Sequence, residues 1–179
     1  MLKNFLKVIC MMSILGLSAC QSLPPIKTVS EVDLDSFMGD WFVIAAIPTF
    51  IEKDPYNPVE RYQKNEDGSI ATTFTFHEGS FDGKLKTYHP TGYVVEGTGN
   101  AEWKMQFVWP FKSEYLIAYL SENYQQTIIA RNKRDYVWIM SRQSQLSPET
   151  YQDLVSRVQS MGYDTSKLRV FPQQHPIKK

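Results

Sequence analysis

Cysteine is almost missing from this 179-residue chain: there are two, Cys10 and Cys20, both within the first twenty positions. The rest of the chain therefore has no disulfide and no nucleophilic thiol. Small exported domains lean on disulfides when their cores are too small, so a cysteine-free body of this length is expected to bury enough apolar surface without them. Net charge is missing too, with 19 Lys and Arg against 19 Asp and Glu. Nothing in that balance steers the chain toward nucleic acid. No Gly-x-Ser-x-Gly occurs, and the three histidines, His77, His89 and His175, are scattered without a metal-ligand spacing. His77 falls at a strand end and reads as a rim residue. No catalytic set, metal site or cofactor is expected. The apolar run at residues 8–17 is short for a membrane-spanning helix, which needs about 20 residues.

That run belongs to the opening MLKNFLKVICMMSILGLSAC, where Lys3 and Lys7 precede it and small residues lead to Cys20. The order is that of a secretory signal peptide. LSAC, residues 17–20, resembles the lipobox of bacterial lipoproteins. On that resemblance residues 1–19 are removed and Cys20 becomes the acylated first residue. Gln21 stands where an Asp would resemble an inner-membrane retention signal, so an outer-membrane address is expected. Loss of Lys3 and Lys7 leaves 17 basic residues against 19 acidic. Pro24 and Pro25 break the polar stretch that follows, so residues 20–31 read as an extended tether and residues 32–179 as one folded domain.

From Gly39 to Arg142, short segments rich in Val, Ile, Thr, Tyr, Phe and Trp are separated by Gly, Asn, Asp and Pro. This is the pattern of an antiparallel all-β fold. Eight strands are expected, at residues 40–46, 59–64, 69–77, 84–95, 101–109, 115–121, 126–131 and 136–142. Asp67-Gly68 suits a tight hairpin between the second and third. In the fifth, Trp103, Met105, Phe107 and Trp109 alternate with Lys104, Gln106 and Val108, which gives one strongly apolar face. After the strands, Ser147 as N-cap, Pro148 at the first turn, Gly162 as the stop and a stripe of Leu154, Val155, Val158 and Met161 predict one C-terminal α-helix. Closing eight such strands into an up-and-down barrel removes both sheet edges and leaves room for one small ligand.

Gly39-Asp40-Trp41 resembles the Gly-x-Trp motif that opens the first strand of the lipocalins, and YVWIMSR, ending in Arg142, resembles their last-strand motif. With the barrel, the helix and the lipobox, the chain is similar to the bacterial outer-membrane lipocalins and to the apolipoprotein D branch. Alternating strand directions bring Trp41 and Arg142 to the same end, where guanidinium on indole should close the barrel beside Gly39. One departure stands out: Ser121 replaces the usual Asp after the sixth strand, with Asn123 and Tyr124 as partial substitutes.

The same counting puts an open mouth at the loops 48–58, 77–84, 109–114 and 131–135. Phe74, Phe76, Met105, Phe107, Trp109, Tyr115, Tyr136 and Trp138 are the expected ligand-binding residues of the inner face near it. Lys53, Lys84, Lys112, Arg131, Lys133 and Arg134 share the rim with Glu52, Asp54, Glu78, Asp82, Glu114 and Asp135, which reads as a mixed solvated surface. Arg61 would turn inward only with a one-residue change of register. The resemblance implies a non-enzymatic binder of fatty acids or lysophospholipids, held to the outer membrane by its lipid and facing the periplasm or the surface. Association of two barrels into a homodimer is left open. The alternatives are an envelope interaction module with an incidental cavity, or a lipid-modifying enzyme. Lipocalin enzymes of the prostaglandin synthase kind use a cavity Cys, which this body lacks.

Overall fold

The computed structural model describes residues 23–174. The expected leader, the lipidation site Cys20 and His175 lie outside the described residues. Nine strands follow in order: β1 (Gly39–Ile47), β2 (Pro55–Lys64), β3 (Ile70–Glu78), β4 (Leu85–Tyr88), β5 (Thr91–Val94), β6 (Glu102–Val108), β7 (Phe111–Leu120), β8 (Gln126–Ala130) and β9 (Val137–Ser141). Each sheet neighbour is antiparallel, and β9 returns to β1 through pairs such as Val43 with Met140 and Ala46 with Trp138. β4 and β5 are two pieces of the expected fourth strand and share β3 as a partner, so the barrel has eight staves. The break falls at His89-Pro90, where proline has no N–H for the ladder; its carbonyl still accepts from Thr72 N at 3.0 Å.

Two strands begin four residues before the sequence reading places them, and two short elements were not expected. β2 begins at Pro55 and β7 at Phe111, so the loops at 48–58 and 109–114 are shorter than expected. A two-residue strand, β10 (Arg169–Val170), pairs with Ala45 and Ala46 of β1 and is too short to leave a pattern. A single helical turn, α1 (Leu34–Phe37), precedes β1 and is capped by Asp33, whose carboxylate accepts from Asp35 N.

Side-chain alternation sorts the strands into two cores. Inside lie Trp41, Val43, Ala46, Tyr62, Ile70, Phe74, Phe76, Trp103, Met105, Tyr115, Ile117, Ile129 and Met140. Ala45, Ile47, Leu116, Ile128, Ala130, Val137 and Ile139 face outward, beneath the expected helix α2 (Pro148–Ser160). A register shift between Val43 and Ala45 makes this double use of β1 workable, because it lets Val43 and Ala46 point in while Ala45 and Ile47 point out. Ser147 caps α2 by accepting from Thr150 N, and Leu154 and Val158 are its buried face.

The stretch read as a free tether is bound to the barrel wall where it is described. Val32 N donates to Gly99 O, Val29 N to Ile117 O and Ile26 N to Asn132 Oδ1, while Arg134 donates to Pro24 O. The segment thus runs from the 131–135 loop, where Leu23 sits beside Gly162, down the outside to the opposite end.

That opposite end is closed by the expected pair. The Arg142 guanidinium lies 3.9 Å from the Trp41 ring and donates to four backbone carbonyls, those of Ser36, Phe37, Met38 and Asp40, at 2.7–3.0 Å. The Trp41 indole N–H donates to Phe37 O at 2.9 Å. Three of the four carbonyls belong to the C-terminal side of α1, where helix carbonyls lack partners and a cation is favoured. Gly39 has φ +91°, in the left-handed region, and a Cβ there would meet Arg142 Nη1 at 3.4 Å. Ser121 closes its own turn: its hydroxyl accepts from Gln125 N and Gln126 N at 3.0 Å, and the Tyr124 hydroxyl accepts from Asp33 N at 2.9 Å. Together these bonds serve the closed end in place of an Asp. Arg61 points outward into a two-toothed pair with Asp40 at 2.5 and 2.7 Å, and that hydrogen bonding holds the Asp40 carboxyl below its ordinary pKa.

Replacing Arg142 by Ala removes the stacked cation and strands several carbonyls, a loss of about 2–4 kcal/mol. Thermal melting should fall by roughly 5–15 °C, and Arg142→Lys should recover little, because an ammonium cannot reach four carbonyls in a plane. An unchanged melting temperature in Arg142→Ala would contradict the closing role.

Candidate binding site

The lower half of the barrel is solid. Phe37, Trp41, Tyr62, Trp103 and Tyr115 fill it as one aromatic cluster, with centroids of Phe37 and Trp41 5.1 Å apart and Trp103 stacked on Tyr115 at 5.2 Å. Gly92 makes room for it: a Cβ there would come within 3.3 Å of Trp103 and 3.0 Å of Met105 Sδ. Above this plug a mostly apolar cavity of about 180 Å³, with Glu60 of β2 and Phe74 of β3 in its wall, opens between the 48–54 loop, the β6–β7 hairpin and the 131–136 loop. Its position comes from strand direction, since all of these connections lie at the end away from Arg142.

Six of the eight residues expected at the ligand site line this cavity: Phe74, Met105, Phe107, Tyr115, Tyr136 and Trp138. Phe76 faces the interior but is packed between Phe74 and Tyr88, with centroids 5.4 and 6.2 Å away, and does not reach the void. Trp109 is displaced further. It is 82% exposed at the hairpin tip, outside the lining. A register shift between Met105 and Val108 breaks the simple alternation that put Trp109 inside. Phe50, Val108, Trp109 and Phe111 form an exposed apolar crown around the mouth.

Sequence reasoning missed the polar part of the site. Glu52, assigned to the solvated rim, is only 5% exposed and lines the cavity. Its two oxygens accept from Trp138 Nε1 at 2.9 Å and Thr49 N at 2.7 Å. Glu60 is 8% exposed and forms part of the floor. It accepts from the Tyr62 hydroxyl, which lies 2.6 Å from that of Tyr115. Burial pushes the Glu60 carboxyl up to about 8, with the neighbouring Glu52 adding to the shift. Burial also raises Glu52, against the hydrogen bonds from Thr49 and Trp138, and raises Tyr115. Of the rim cations only Arg131 lines the void; it sits 3.5 Å from Asp135 and over the Tyr136 ring at 5.2 Å. A signal for Glu60 was present: once Tyr62 faces inward, strand alternation places Glu60 on the same face.

A buried acid with a raised pKa costs stability as it is forced to ionise. Because the folded-state value exceeds that of the unfolded chain, at about 4.3, the cost is absent below pH 4 and grows until the pH passes about 8. Glu60→Gln should therefore match wild type in unfolding free energy at pH 4.5 and exceed it progressively toward pH 8.5, by an amount on the order of a few kcal/mol. A difference that stays constant across this range would contradict the buried, neutral carboxyl.

With this geometry in place, comparison with known proteins is informative. A lipocalin-like domain model matches residues 32–173. Temperature-induced lipocalin-1 of Arabidopsis thaliana is 30% identical, over 82% of this chain and 82% of its own. The outer membrane lipoprotein Blc of Escherichia coli K12 is 25% identical over 83% and 85%, and apolipoprotein D of Macaca fascicularis 28% over 89% and 85%. Among solved structures, insecticyanin of Manduca sexta superposes with a TM-score of 0.66 at 16% identity, covering 85% of this chain and 86% of that one, a likeness of fold. The closed eight-stave barrel, its Arg142–Trp41 closure, the external helix and these matches together make the chain a member of the lipocalin family.

Proposed function

We propose that the protein binds single-chain amphiphiles such as fatty acids or lysophospholipids and holds or carries them at the outer membrane of a bacterial envelope, to which an acylated Cys20 tethers it. The observation that carries this reading is an apolar cavity opening at the same pole where the described chain begins, beside Gly162 and Arg134. Two residues lie between Cys20 and Leu23, and the three steps from one to the other span at most about 10 Å. A lipid on Cys20 therefore holds the mouth, with its crown of Phe50, Trp109 and Phe111, close to the bilayer that supplies the ligand.

The size of the void limits the cargo. About 180 Å³ is close to the roughly 150 Å³ of an apolar cavity that takes up one benzene ring, so part of one chain or one ring is held inside and the remainder lies across the mouth. Each methylene buried contributes about 0.8 kcal/mol before ordering costs. The homodimer left open by the sequence would have to leave this pole free.

The test is extraction of the membrane-purified protein and mass spectrometry of what accompanies it, with uptake of a fluorescent fatty acid as the second measure. One single-chain lipid per barrel is the expected result. Phe107 lines the cavity yet is 45% exposed, so Phe107→Asp should leave melting nearly unchanged while weakening uptake by about tenfold or more through an unpaired charge in the lining. A protein that emerges empty and takes up no probe would make the barrel an interaction module, and turnover of a lysophospholipid would make it an enzyme.

A further inference from the structure

The cavity lining contains three carboxyls, Glu52, Glu60 and Glu114, against one guanidinium, Arg131. Two of these four are fully engaged. Glu52 accepts from Trp138 and Thr49, and Glu114 accepts at both oxygens from Asn132 at 2.7 and 2.9 Å, while Arg131 sits 3.5 Å from Asp135 and over the Tyr136 ring with its buried Nε lacking a hydrogen-bond partner. Glu60 differs. Its Oε2 accepts from Tyr62, its Oε1 has no hydrogen-bond partner among the described residues, and its side chain is more than nine-tenths buried while lining the void. The cavity floor therefore holds a half-satisfied carboxyl, in a lining that includes the rings of Phe74, Tyr115 and Trp138 and one cation, Arg131.

Resting on the reading of this void as an amphiphile site, we propose that its floor recognises the ammonium head of a primary alkylamine, which enters head first, and discriminates against a free carboxylate. An ammonium carries three donors and no acceptor. One donor meets Glu60 Oε1, and the aromatic lining faces the remaining charge with its ring electrons. The proton balance is simple: the Glu60 carboxyl releases its proton to solvent, the ammonium keeps all three of its own, and a hydrogen-bonded ion pair N⁺–H···O⁻ replaces a neutral acid. A carboxylate brought to the same floor can accept one hydrogen bond from the neutral Glu60 O–H, but it lies beside Glu52 and gains no ion pair there. An octanoate that enters tail first leaves Oε1 unpaired.

The experiment is calorimetric titration of the full chain at pH 7 with octylamine, octanol and octanoate, each in two buffers of different ionisation enthalpy. Octylamine should bind about tenfold or more tightly than octanoate, with close to one proton released per amine bound. Glu60→Gln should abolish that release and bring the two ligands within about threefold of each other. Octanoate binding as tightly as octylamine to the wild type overturns the proposal, as does proton release that persists in Glu60→Gln. If octanol and octanoate bind while octylamine has no advantage, this inference alone fails. If none of the three binds, the amphiphile reading fails with it.

Discussion

Everything useful in this molecule depends on how one end of the barrel is shut. Arg142 gathers four backbone carbonyls of the α1–β1 segment while lying flat on Trp41, which in turn bonds to the same segment. The segment is thereby fixed across the barrel end with Phe37 pointing into the interior, against Trp41, Tyr62 and Trp103. Once Phe37 is placed, the lower half has no space left. The cavity lies toward the other pole, where the 48–54 and 131–136 loops line it.

That position sets the chemistry of the site. A deep, uniformly apolar tube would favour any long chain. A shallow void ending at Glu60, Tyr62 and Tyr115 offers hydrogen bonding at its floor as well as apolar walls. Buried polar groups of this kind are expensive unless satisfied. Here the Tyr115–Tyr62–Glu60 chain satisfies all but one oxygen, and the remaining cost is met by keeping the acid neutral, with its pKa at about 8. The floor is thus a place where stability and recognition compete, as is common at functional sites.

Much of the fold was legible because it rests on periodicity and motif. The alternation of Trp103 and Met105, the Gly39-Asp40-Trp41 opening, Arg142 and the Ser147–Gly162 helix frame all report local patterns that the barrel simply closes. What stayed hidden depends on departures from period two. The register shift in β6 sent Trp109 outward, and the one in β1 let a single strand serve two cores. β10 and α1 are too short to carry a pattern. Glu52 and Glu60 were obscured for a different reason: acidic residues are read as surface by default, and only the loop fold around Thr49 and the inward face shared with Tyr62 show that these two are interior.

The most direct test of this account is a diffraction structure of the protein with a bound single-chain ligand. Electron density for the chain should lie against Phe74, Met105 and Trp138 and stop above the Tyr62–Trp103–Tyr115 layer, with the Arg142–Trp41 closure unmoved. Density threading past that layer toward Trp41, or a ligand seated only on the outer wall beneath α2, would contradict a site confined to the open pole.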